Sequence, residues 1–159
     1  MSGFLKWIAE LFAGSKTTRI KVRINFAKNG SCWNYDLEAD DKDSDPFVKA
    51  GNKIDLPHKQ PTSVIEFRLQ GKAGQVLEFD LDTNAPIVEP IWVEAGQCPT
   101  QCGPFPSDFC VLSKSANVIK VQDRNLNVGD FHYRLNFVDD AGNKIHWDPI
   151  IRNGGDGGP

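Results

Sequence analysis

The chain is short of the residues that most often carry chemistry. Its 159 residues include three histidines, two tyrosines and one methionine. Few histidines means few side chains that exchange a proton near neutral pH. His58, His132 and His146 are the only ones, and none stands in a recognisable nucleophile–base motif. No phosphate-binding glycine loop, His-Glu-x-x-His, Gly-x-Ser-x-Gly or internal repeat is present. That argues against an enzyme, and no cofactor is expected. No apolar run approaches the roughly 20 residues a membrane-spanning helix needs. The net charge of -3 carries no basic footprint for nucleic acid. The first apolar stretch, Phe4 to Phe12, is interrupted by Lys6 and Glu10 and lacks a basic region before it. It does not read as a secretory signal. The expectation is a cytoplasmic protein, with its four cysteines reduced by default.

What the chain has is aromatic and turn-rich. Ten phenylalanines and four tryptophans suit a rigid core, while fourteen glycines and ten prolines punctuate it as many short strands require. The length suffices for one domain with a core.

The clearest element is a hairpin near the C-terminus. Phe131, Tyr133, Leu135 and Phe137 alternate with His132, Arg134, Asn136 and Val138, the period of a strand with one buried face. A three-residue loop, Asp140-Ala141-Gly142, with Gly142 in the left-handed region, sets a register. Asp139 then faces Asn143, Phe137 faces Ile145, and Leu135 faces Trp147. On the polar face this register puts Arg134 opposite Asp148, an expected ion pair. His132 and His146 stay apart. Pro149 lacks an N–H, so the last strand should be at an edge or pair weakly there. Asp130 shortly before Tyr133 resembles the approach to the tyrosine corner of immunoglobulin-like domains, one residue shorter than the Asp-x-Gly-x-Tyr form.

At the other end, residues 3–13 read as a short amphipathic helix. Phe4, Leu5, Trp7, Ile8, Leu11 and Phe12 fall within an arc of roughly 160° at about 100° per residue. So short a helix must dock on something: its own domain, a second copy, or a membrane surface. Thr18 to Ala27 follows as a strand, with Ile20, Val22, Ile24 and Phe26 inward and Arg19, Lys21 and Arg23 in a basic outward stripe. Asn29-Gly30 turns the chain into a second strand, Cys32 to Leu37. Thr62 to Gln70 and Gln75 to Leu81 read as a hairpin or a consecutive pair. Ala85 to Glu94 reads as an irregular or edge strand, and Asn117 to Gln122 as a short one. Phe47 to Gln60 has weak patterning and crosses between sheets.

Two loops have ligand-like composition. Asp41, Asp43 and Asp45 imitate the first half of an EF-hand, but Pro46 stands where glycine is needed and Asn52 where the bidentate glutamate is needed. Asp80, Asp82, Thr83 and Asn84 form a second oxygen-rich group. Cys98, Cys102 and Cys110 lie in a Pro- and Gly-rich loop. The first two have a spacing found among zinc ligands. Free thiols and a disulfide, to one another or to Cys32, are the rivals.

The expected architecture is all-β: an antiparallel, two-sheet, immunoglobulin-like β-sandwich of roughly seven to nine strands. The expected division is an amphipathic helix over 1–15, the sandwich over 16–152 and a glycine-rich tail over 153–159. The expected function is non-catalytic docking on a protein partner, a second copy or a membrane surface. Phe4, Trp7, Ile8, Leu11 and Phe12 would anchor it, and Arg19, Lys21 and Arg23 would support it electrostatically. The alternative is a metal- or small-ligand-binding sandwich, using Asp41, Asp43 and Asp45 for calcium or Cys98, Cys102 and Cys110 for zinc.

Overall fold

The computed structural model describes residues 17–57, 61–81, 89–99 and 104–155. The expected N-terminal helix with its anchors Phe4, Trp7, Ile8, Leu11 and Phe12 lies outside them, as do His58, Asp82, Thr83, Asn84 and Cys102. Twelve strands are present among the described residues: β1 (Thr18–Asn29), β2 (Cys32–Ala39), β3 (Val48–Lys49), β4 (Lys53–Pro57), β5 (Ser63–Gly71), β6 (Leu77–Phe79), β7 (Ile91–Ala95), β8 (Phe109–Lys114), β9 (Val118–Asp123), β10 (Gly129–Asp139), β11 (Lys144–Trp147) and β12 (Ile150–Gly155).

They form two sheets. The first runs β2-β1-β5-β9-β8, and the second β11-β10-β12-β4-β3, with β6 and β7 also paired to β10. The expectation of purely antiparallel sheets is corrected here. β1 runs parallel to β5, with Ile20 beside Ile65, and β12 runs parallel to β4, with Ile151 beside Ile54. Alternation of inward and outward side chains is the same in either direction, so the sequence pattern is blind to this choice. The strands beyond the expected seven to nine include β3, β4 and β8, all short and weakly patterned.

β10 is the spine of the second sheet. Along one edge it pairs with β12 and then β11, and along the other with β7 and then β6. The hairpin has the expected register, Phe137 opposite Ile145 and Leu135 opposite Trp147. Asp139 N–H donates to the Asn143 carbonyl, and Gly142 has φ 83°, as the three-residue loop requires. β11 and β12 keep one register against β10, and the ladder is interrupted only around Asp148 and Pro149. β11 is the edge strand. β12 is interior, and it continues through Gly155 with Asn153 fully buried.

The two sheets bury their inward faces against each other. Ile20, Val22, Ile24, Ile65 and Phe67 of the first sheet, and Phe131, Tyr133, Leu135 and Phe137 of the second, belong to one core. Rings bridge the layers: Phe67 with Tyr133 at 5.5 Å, Phe109 with Phe131 at 4.9 Å and Tyr35 with Phe137 at 5.5 Å. Burying each such side chain contributes about 1.5–3 kcal/mol. Trp147 is only half-buried, stacked on Tyr35 at 5.1 Å.

Three local expectations change. β5 and β6 are not a pair: β5 joins the first sheet, while β6 crosses to β10. The resemblance to a tyrosine corner does not extend to its hydrogen bond, because the buried Tyr133 hydroxyl has no partner among the described residues. Arg134 does not reach Asp148. β7 places Trp92 opposite Arg134, whose guanidinium lies over that ring at 4.4 Å and donates from Nε to Asn136 Oδ1. Asp148 instead has His146 as its neighbour at 3.9 Å.

Candidate functional site

The outer face of the first sheet carries the basic stripe. Arg23 is already engaged there, with Glu38 at 2.7 Å and Asp40 at 3.4 Å. Arg68 reaches the same Asp40 at 2.6 Å, and Lys120 lies 3.8 Å from Glu66. The hydrogen bond from Arg23 holds the Glu38 carboxyl below its ordinary range. Arg19 and Lys21, at the start of β1, are exposed. Lys21 stands opposite Glu66 of β5, and its charge helps to hold Asp41 low, so carboxylates accompany Lys21 as well as Arg23.

The acidic loop folds back on this face. Asp40 N–H donates to the Lys21 carbonyl, and Ser44 Oγ accepts from Lys21 N–H. Asp41 Oδ1 accepts from Ser44 N–H at 2.9 Å. Ser44, through its side chain and its backbone N–H, holds Asp41 below the ordinary carboxylate range. The loop is therefore built as a cap on β1, with Asp40 and Asp41 turned to internal partners. Asp80, of the second oxygen-rich group, is buried and paired with Lys144 at 2.9 Å. Among the described residues, no group of three His, Cys, Asp or Glu side chains is arranged to hold a metal ion. A cleft of about 380 Å³ opens at the far end of the first sheet, lined by Asn25, Ala27, Asn34, Asp36, Gln70 and Lys72 among others.

Where the two sheets meet at one end, a buried polar junction ties the layers together. Asp108, just before β8, accepts from Leu126 N–H, Asn127 N–H and Asn127 Nδ2. Asp123, at the end of β9, accepts through Oδ1 from Asn125 N–H at 2.9 Å and from Asn153 Nδ2 of β12 at 2.8 Å. Asp123 is fully buried, and its Oδ2 and the Asn153 Oδ1 have no partner among the described residues. Burial raises the Asp123 carboxyl to about 6, against the pull of the Asn125 and Asn153 hydrogen bonds, and neighbouring Asp108 adds to the rise.

The cysteines separate. Cys110 is on β8 in the first sheet, and Cys98 follows β7 of the second; Cys32 opens β2. All three are exposed free thiols. Among the described residues Cys110 makes a long contact to the Val111 carbonyl, 3.7 Å. Cys98 differs: its Sγ lies 3.6 Å from His132 Nδ1. Sequence reading left this pair unjoined. The residues are 34 apart in the chain, and it is the pairing of β7 with β10, Glu94 opposite His132, that joins them. The only sequence signal was that Cys98 closely follows one strand and His132 lies within another. No protein-family model matches the chain, and no curated protein matches it.

Proposed function

We propose that the chain is a non-catalytic interaction or assembly protein. In this reading an immunoglobulin-like β-sandwich docks on a partner protein, a second copy or a membrane surface through Phe4, Trp7, Ile8, Leu11 and Phe12. The observation that supports it is the exposure of the cations at the start of β1. Arg23 is paired with Glu38 and Asp40, whereas Arg19 and Lys21 are exposed and stand close in sequence to the apolar stretch Phe4 to Phe12. Apolar anchors flanked by exposed cations suit a surface that is greasy and acidic together. The electrostatic support is Arg19, Lys21 and Arg23, of which Arg19 and Lys21 are the more exposed.

Deleting residues 1–14 tests this. Assembly by light scattering, or cosedimentation with anionic liposomes, should be lost while far-ultraviolet dichroism keeps its strand signature. Arg19→Glu with Lys21→Glu should weaken the same association, most at low ionic strength. A truncated protein of unchanged size and unchanged liposome binding would overturn the proposal.

A further inference from the structure

We propose that Cys98 and His132 form a reactive thiol site, at which Cys98 exchanges with small disulfides and becomes reversibly capped. This goes beyond the docking reading and does not depend on it. Four observations carry it. Cys98 is exposed, so a disulfide can approach its sulfur. His132 Nδ1 is within hydrogen-bond reach of that sulfur at 3.6 Å. His132 sits on β10, a strand paired along both edges, so the base is held on a rigid element. Finally, the imidazole has acidic company. Glu94 is directly opposite it on β7, and Asp130 is two residues away on the same strand face. Asp130 is itself kept anionic, chiefly by Arg152, whose Nε lies 2.9 Å from its Oδ1, with Lys53 and His132 adding to the effect.

An accessible thiol and a base in hydrogen-bond reach, the base held on a rigid strand, are the parts of an activated thiol. The step balances without further reagents. The Cys98 thiol proton passes to His132 Nδ1, and the thiolate attacks one sulfur of the disulfide. A new S–S bond forms as the old one breaks, and the departing thiolate takes the proton from His132. One disulfide and one thiol enter, and one disulfide and one thiol leave.

Cys110 is the internal comparison, being exposed like Cys98 but with no histidine contact among the described residues. The experiment uses two single-cysteine versions of the full chain. Cys32→Ser, Cys102→Ser and Cys110→Ser together leave Cys98, and Cys32→Ser, Cys98→Ser and Cys102→Ser together leave Cys110. Each is mixed with a chromogenic aromatic disulfide, dithiobis(nitrobenzoate), across a pH series. At about pH 6.5, below the ordinary thiol range, Cys98 should react roughly tenfold faster or more than Cys110, and the two should converge in alkali. His132→Ala should bring Cys98 down to the Cys110 profile, and Asp130→Asn should lower it part of the way. Superimposable pH profiles for Cys98 and Cys110 with His132 intact would overturn the proposal, whatever the variants do. So would a fast Cys98 that His132→Ala leaves unchanged in a folded protein.

Discussion

Replacing Asp123 by asparagine will remove a pH-dependent weakness at the junction between the two sheets. In the folded protein the carboxyl is raised from 3.8 to about 6, mainly by burial. A group raised in this way favours the folded state fully below its unfolded value. That advantage is lost as pH rises through about 6, because the native protein must then hold a buried anion. The difference of about two pH units corresponds to about 3 kcal/mol, with roughly half of it developing between pH 5 and pH 8. Asparagine has the shape of the protonated acid. Its Oδ1 can still accept from Asn125 N–H and Asn153 Nδ2, and its Nδ2 takes the place of Asp123 Oδ2, which has no partner among the described residues. Urea unfolding followed by tryptophan fluorescence, at pH 5 and pH 8, reads the effect. The variant minus wild-type stability should grow by about 1–1.5 kcal/mol in favour of the variant on going to pH 8. Subtracting the two proteins cancels the opposite contributions of Glu38, Asp41, Asp130 and Asp139, whose carboxyls are lowered and which favour folding as pH rises. A difference that does not change with pH, or that grows in favour of wild type, would refute the reasoning.

Further outcomes can be read in the same unfolding assay. Tyr133→Phe removes a fully buried hydroxyl that has no partner among the described residues; it should leave stability unchanged or raise it by about 1 kcal/mol. Phe137→Ala removes a ring packed on Tyr35 at 5.5 Å and Phe79 at 5.6 Å, and should cost about 3–5 kcal/mol.

The parts of this fold legible in the sequence are those decided by neighbours. Alternation from Phe131 to Phe137 and the glycine at 142 were enough to set the hairpin, because a slip of one residue would turn every large side chain to the wrong face. The turn at Asn29-Gly30 marked β1 and β2 as neighbours, though their register, Phe26 opposite Tyr35, came only with the structure. Partner choice over distance was not legible. Nothing in Gln75 to Leu81 says that Phe79 will leave β5 and pair with Phe137. Nor does Arg134 reveal that Trp92 will be nearer than Asp148. The Cys98–His132 contact was hidden for the same reason: neither residue carries a local signature, and only the pairing of β7 with β10 joins them. Asn136 shows the effect on burial. It lies on the outward face by alternation, yet it is buried, because Glu89 and Pro90 close over it and take its hydrogen bonds.

The interior position of β12 has a consequence for how the protein comes into being. Sheets with a late strand at the edge can assemble as the chain emerges and add that strand last. Here Ile150–Gly155 lies between β10 and β4, and its parallel neighbour β4 was made roughly a hundred residues earlier. Until that segment leaves the ribosome, β3 and β4 have no route into their sheet, and the apolar face of Ile54 and Leu56 waits uncovered. Closing so long a loop is slow. The joining of β3 and β4 to the second sheet is therefore a late step of folding that waits for β12, while β6, β7 and β11 can already pair with β10.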